Sequence, residues 1–188
     1  QPDRVLEIMQ HIVSEYGIRG FLFHDDNFFL DLKWAREVLE RIDRSGLGIS
    51  IGKLFIRADT LCEINDEFIE LLVRVGVKRL VMGVESGNQR VLNLLNKRIK
   101  LEQVLEANRK LIPYPIKPAY LFMMGLPTET PEELKQSIQF AEKLIKENPK
   151  ATRTFNVYTP YPGTELYKMA VQHGLREPAS LLEWTRFN

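Results

Sequence analysis

The amino-acid sequence predicts an α/β fold built on a parallel β-sheet. Five short apolar runs carry that prediction: Ile18–Phe23, Ser50–Arg57, Lys78–Val84, Ala119–Gly125 and Thr154–Tyr158. Each is continuous in hydrophobicity rather than alternating and is bounded by glycine, proline or charge, as strands covered on both faces are. Between the runs lie segments with apolar residues at the helical period, and strands alternating with helices imply right-handed βαβ units.

The elements follow in order. Val5, Ile8, Met9, Ile12, Val13 and Tyr16 make the stripe of a first helix, closed by Gly17 before the first strand. Trp34, Val38, Leu39 and Ile42 mark a second helix ending at Gly46, and Phe68, Leu71, Leu72 and Val75 a third ending at Gly76. Thr130-Pro131-Glu132-Glu133 reads as an N-cap, a proline at the first helical position and acids in the first turn. Leu134, Ile138, Ala141, Leu144 and Ile145 continue that helix. Such a chain folds as a doubly wound open sheet or as a barrel or partial barrel. A complete eightfold barrel takes roughly 250 residues, and the 188 present are too few. The first helix needs a sheet to cover its stripe, so a preceding strand is expected outside this sequence. No linker or low-complexity stretch divides the chain, and residues 1–188 are expected to form one domain of a longer protein.

Composition narrows the function classes. Lys plus Arg number 26 and Asp plus Glu 25, a balance that gives no general pull toward nucleic acid or an anionic membrane. No apolar run approaches the ~20 residues of a membrane span. Cys62 is the only cysteine, so an intrachain disulfide is impossible and a reducing cytoplasm is the expected compartment. It is expected near the start of a helix, where a thiol without a placed base reads as structural. His11, His24 and His173 are scattered and give no metal-ligand spacing, so no metal site is expected. There is no GxGxxG, no P-loop and no nucleophile elbow.

The chemistry-bearing residues follow the strands. His24-Asp25-Asp26-Asn27 follows the first and Arg57 with Asp59 the second. Glu85-Ser86-Gly87 follows the third, GLPTET (residues 125–130) the fourth and TPYPGT (residues 159–164) the fifth. In a parallel β/α fold these endings open on one rim, where ligands bind. The plainer alternative is that connections are polar by nature. Asp25 and Asp26 read as acceptors for a ligand or as an N-cap pair for the next helix. Glu85 reads as a ribose-binding carboxylate or again as an N-cap. Gly125 allows close backbone approach and Pro127 a rigid turn. Tyr158 and Tyr161 either line a pocket or pack.

The ordered set FHDDNF, GVESGNQRVLNLLNK, MMGLPTET and YTPYPGTELY resembles the radical S-adenosylmethionine (SAM) enzymes from about Asp3 to Tyr167, and above all the group with an upstream cobalamin-binding domain. That group includes anaerobic magnesium-protoporphyrin monomethyl ester cyclase and cobalamin-dependent methylases. The resemblance implies a partial (β/α)6 barrel, TIM-like, whose second to sixth strands are the five runs above. It implies SAM as cofactor, contacted by Arg57, Glu85, Ser86, Lys97, Gly125, Pro127, Tyr158 and Pro160, with Asp25 and Asp26 facing substrate. Lys97 alternatively reads as a solvated helix-end lysine. The family's first strand is followed by a CxxxCxxC loop that holds a [4Fe-4S] cluster, and this chain lacks it. The cluster is therefore expected only in the full-length protein, with cobalamin possible in an upstream domain. The implied reaction is radical chemistry such as methylation or oxidative cyclisation. Catalytic residues stay unassigned, because the cofactor carries the hard step. The implied partners are a small-molecule substrate and an electron donor such as ferredoxin or flavodoxin, with no nucleic acid. An unpaired sheet edge invites dimerisation. Two alternatives stand beside this reading: the core of a tRNA methylthiotransferase, and a non-catalytic small-molecule-binding barrel.

Overall fold

The computed structural model describes residues 1–185. The chain runs α1 (Pro2–Tyr16), β1 (Gly20–Phe21), α2 (Leu32–Ser45), β2 (Ser50–Ile51), β3 (Leu54–Phe55), α3 (Ala58–Glu63), α4 (Asp66–Arg74) and β4 (Arg79–Glu85). It continues through α5 (Gln89–Leu94), α6 (Leu101–Lys110), β5 (Lys117–Met124), α7 (Pro131–Glu147), β6 (Thr152–Val157), α8 (Glu165–Gln172) and α9 (Leu181–Trp184). All strand pairs are parallel: β1 with β2, then β3, β4, β5 and β6 in that order.

The run predicted as one strand over Ser50–Arg57 forms as two pieces, β2 and β3, parted at Gly52. A Cβ on Gly52 would sit 2.6 Å from Leu22 Cδ2 of the neighbouring run, so a side chain there would displace the end of that leucine. The two pieces still join one surface. Gly52 N–H donates to Phe21 O on one side, and Lys78 N–H donates to Ile51 O on the other, where Ile51 bridges Val77. The first strand is also shorter than its apolar run, since Ile18 and Leu22 are exposed.

Strand positions therefore succeed one another in chain order. A doubly wound sheet needs a point where that order reverses. Strands in unbroken sequence, joined by right-handed crossovers, put their helices on one face and curl toward a barrel. Of the two architectures open to the sequence, the partial barrel is the one that forms.

Leu80, Met82 and Val84 of β4 and Tyr120 and Phe122 of β5 are fully or almost fully buried in the main core, with Leu39 of α2, Leu72 of α4 and Leu144 of α7. One polar network crosses that core. Tyr120 Oη donates to Asn108 Oδ1 (2.8 Å), Asn108 Nδ2 to Leu144 O (2.9 Å) and Asn148 Nδ2 to Asn108 O (3.2 Å), fastening α6 and α7 to β5.

Helix boundaries match their signals. Gly17, Gly46 and Gly76 all take the left-handed conformation (φ 67°, 62° and 82°). At Gly76 a Cβ would also meet Ile49 O at 2.6 Å. Thr130 and Glu133 form a reciprocal capping box at the start of α7. Some predicted stripe residues stay outside: Ile8, Tyr16 and Ile138 are exposed, and Met9 is the only fully buried residue of α1. That helix packs chiefly on α2, aided by an Asp3–Arg41 ion pair, so only a narrow part of its stripe is covered. No helix among the described residues is long and apolar enough to cross a membrane.

Tyr120→Phe removes a donor and leaves Asn108 Oδ1 short of a partner in a dry site. We expect a loss of about 1–3 kcal/mol in urea unfolding, with the folded spectrum unchanged.

Candidate functional site

The C-terminal ends of β3 and β4 frame a cleft of about 190 Å³ whose lining includes Asp26, Arg57, Gly83, Glu85, Lys97 and Leu121. Its floor is the last turn of β4. The ladder between β4 and β5 shifts register between Gly83 and Glu85, and Glu85 stands at φ 70°. A residue with a side chain pays roughly 1–2 kcal/mol for the left-handed region, and such strain concentrates at functional sites. The bulge turns the Glu85 carboxylate back over its own strand. Lys97 Nζ donates to Glu85 Oε1 at 2.8 Å, and the two side chains are 25% and 18% exposed. A Cβ on Gly83 would lie 2.3 Å from Glu85 Oε1 and 3.0 Å from Lys97 Nζ. Glycine at that position is what allows the pair to rest on the strand.

Arg57 closes the cleft from β3. Its guanidinium forks onto Asp59 (3.0 and 2.7 Å) and donates to Lys97 O at 3.1 Å, so it also fixes the loop that carries Lys97. The lysine is thus not the solvated helix-end residue that the sequence left open. Nor do the acids cap helices: Asp31 accepts the Trp34 N–H at the start of α2, and Asn88 accepts the Val91 N–H at the start of α5. These caps exclude the N-cap readings of Asp25, Asp26 and Glu85.

A second cleft, of about 340 Å³, opens at the ends of β5 and β6 and includes Gly125, Pro127, Thr128, Tyr158, Pro160 and His173. Glu129 Oε2 accepts the N–H groups of Gly125 (2.8 Å) and Leu126 (3.3 Å) and so shapes the turn. Gly125 has φ 77° and nothing within 4 Å of where a Cβ would be, which leaves its outer face open to a ligand. The Tyr158 N–H is given to Met124 O at 2.9 Å, and Pro160 has none to give. These two residues can offer a flat base only carbonyl acceptors from the main chain. Burial raises the Tyr158 phenol above its ordinary range, which keeps it protonated.

The structure thus brings Asp26, Arg57, Glu85 and Lys97 to one cleft and Gly125, Pro127, Tyr158 and Pro160 to the other. Asp25 is exposed and lines neither. Ser86 is fully buried behind the first cleft, where its hydroxyl meets Ser137 Oγ at 3.0 Å. Tyr161 is exposed. The sequence placed Gly83 and Thr128 at strand ends without giving either a role, and it gave His173 no place at the rim. Alternation along β4 from Glu85 back to Gly83 and Val81 was the available signal for the first, since residues two apart share a strand face.

Cys62 lies in the last turn of α3 rather than near a helix start. Its thiol donates to Gln103 O at 3.3 Å, and burial, with Glu106 nearby, pushes it up to about 11. Among the described residues no three His, Cys, Asp or Glu side chains are grouped to hold a metal ion. An iron–sulfur cluster is held by several thiolates. One protonated cysteine does not fit that group.

A parallel β/α barrel with two adjacent rim clefts, one charged and one walled by Gly/Pro turns, is an enzyme-type cofactor-binding scaffold. The sequence profile described as "Radical SAM superfamily" matches residues 1–141, and the chain belongs to that superfamily. It is 31% identical over 173 residues to an uncharacterized methyltransferase of Pyrococcus horikoshii, covering 92% of this chain and 36% of that protein. It is 23% identical over 187 residues to the anaerobic magnesium-protoporphyrin IX monomethyl ester cyclase of Cereibacter sphaeroides, covering 100% and 29%. Its fold superposes on the radical SAM methyltransferase TsrM from Kitasatospora setae, solved with cobalamin and a [4Fe-4S] cluster. The TM-score there is 0.76 at 18% identity, over 95% of this chain and 33% of that one. The chain spans about a third of the length of these relatives.

Two outcomes follow from this geometry. Gly83→Ala will displace the Glu85–Lys97 pair while changing stability by less than about 1 kcal/mol, because the atoms that must move are the ends of flexible side chains. Crystallography and thermal unfolding read the two effects. Cys62 in the folded chain will react with iodoacetamide at pH 8 on the order of 100-fold more slowly than in urea. Its folded thiol titrates at about 11, against an unfolded value of about 8.5, and only the thiolate reacts.

Proposed function

We propose that residues 1–188 are the SAM-binding core of a radical SAM enzyme that, as a whole protein, methylates or oxidatively cyclises a small-molecule substrate. The observation that carries the reading is the Glu85–Lys97 pair seated on Gly83 with Arg57 beside it. Opposed charges held two atoms apart in a half-dry cleft match the ammonium and carboxylate of an amino acid. The methionine end of SAM exchanges with that internal pair: its carboxylate turns to Lys97 and Arg57, and its ammonium to Glu85. The adenosine end lies along the open face of Gly125, with the base between Pro127, Tyr158 and Pro160, and its amino group donates to main-chain carbonyls there. Asp26, on the rim of the first cleft, faces the substrate side, and Asp25 lies next to it in the same loop.

When bound, an iron–sulfur cluster would supply the one-electron reducing chemistry that acts on SAM. This chain positions the sulfonium and excludes water, while the cluster's thiolates come from sequence outside these 188 residues, as does any cobalamin-binding domain. A ferredoxin- or flavodoxin-type protein supplies the electron. The names of the methyltransferase and cyclase relatives support methyl transfer or cyclisation, and the near-neutral charge supports a small molecule over nucleic acid.

In the intact protein, Glu85→Ala will weaken SAM binding at least tenfold by calorimetry, and Cys62→Ala will leave it within twofold. Equal and negligible effects would remove the site from Glu85. Glu85→Asn keeps a residue tolerant of the left-handed backbone and should lose binding like Glu85→Ala, which assigns the effect to the carboxylate.

A further inference from the structure

The two clefts are formed by different loops, and a single face of α7 holds both. Glu133 and Ser137 lie four residues apart, so they project from the same side of that helix. Ser137 Oγ meets Ser86 Oγ (3.0 Å) and accepts the Gly87 N–H (2.9 Å), just beyond Glu85. Gly87 is pressed so closely on α7 that a Cβ would lie 2.7 Å from Ser137 Cα. Beside it, Asn88 Nδ2 donates to Gln136 Oε1 at 2.5 Å. Glu133 takes Arg90 of α5 in a two-pronged pair, Nε to Oε1 at 2.5 Å and Nη2 to Oε2 at 2.6 Å. The same Nη2 donates to Thr128 O at 3.0 Å, and Nη1 lies 3.4 Å from Thr128 Oγ1.

Thr128 lines the second cleft and sits at φ 66°. No glycine relieves that conformation, so neighbouring contacts must hold it. Arg90, in the first turn of α5 just after the loop that follows Glu85, is a side chain that reaches it. The charge on the anchor is secure: the Arg90 guanidinium and then the Thr130 N–H lower the Glu133 carboxyl to about 2.

We infer that Arg90 is a positioning residue that sets the Gly125–Thr130 turn against α7 and so shapes the adenosine half of the site, without touching ligand. The inference rests on the reading of that cleft as the adenosine site. Arginine suits the role because its planar fork engages a carboxylate with two N–H groups while spare donors reach the Thr128 carbonyl; a lysine offers one point charge.

The test compares three ligands on the full chain by NMR titration: SAM, adenosine and methionine. With Arg90→Met, affinity for SAM and adenosine should fall five- to thirtyfold by a common factor, with methionine within twofold. Arg90→Lys should recover only part of the loss. Glu133→Gln should match Arg90→Met, and the double variant should be no worse than either, because both act through one contact. Loss of methionine binding to the same extent would make the effect general loosening and overturn the inference, as would adenosine binding unchanged in both single variants. If Arg90→Met fails to fold, Arg90→Gln and Glu133→Gln carry the same comparison. A wild-type chain that binds methionine but neither adenosine nor SAM would refute the reading of the second cleft itself, whatever Arg90 does.

Discussion

The structure depends on one topological constraint: parallel strands laid side by side in chain order. Each return from the C-terminal end of one strand to the N-terminal end of the next needs a crossover, and crossovers of one hand cover one face only. The uncovered face curls inward, and every strand delivers its terminal loop to the same rim. Arg57 and Glu85, far apart in the chain, share one rim cleft for this reason, and Gly125 and Tyr158 share the other.

Rigidity at that rim is imposed from behind. The Tyr120–Asn108–Leu144–Asn148 bonds fix α6 and α7 to β5, and α7 in turn holds the turns after β4 and β5 through Ser137 and Glu133. The buried members of this set, Tyr120, Asn108, Asn148 and Ser137, are paired in a low-dielectric setting, which specifies one arrangement of the elements rather than merely stabilising them. Under the proposed function, a turn after β5 that is set in advance lowers the ordering cost subtracted from affinity at the second cleft.

The charged cleft follows a different logic. A half-buried ion pair contributes little net stability once desolvation is counted, and Glu85 adds backbone strain. Two unfavourable features on adjacent atoms, kept in place by a glycine under the pair, are hard to attribute to folding. Under the proposed function, the internal pair opens and re-forms around the zwitterionic end of SAM. Cys62 shows the contrasting case: a thiol with its donor bond satisfied inside α3–α6 packing, where burial and Glu106 outweigh the charge of Lys110 and keep it protonated.

Local sequence determined what local physics can decide. Apolar runs marked the strand positions. Gly17, Gly46, Gly76 and the Thr130 capping box marked helix ends through backbone conformation and hydrogen bonds within a few residues. Family-level motifs named the polar and turn residues Asp26, Glu85, Lys97, Gly125, Pro127, Tyr158 and Pro160 of the two clefts, but not their apolar walls. Tertiary structure alone decided the rest, because it depends on contacts between distant segments. One apolar run divides at Gly52 into β2, which pairs with β1, and β3, which pairs with β4. Strand order selects the barrel over the doubly wound sheet. The partners of Lys97 and Arg90 lie on other elements, so no periodicity could announce them. Ser86 adjoins Glu85 in the chain but faces the other way, into the contact with Ser137 of α7, and only the packing of that distant helix made it a buried anchor rather than a cleft residue.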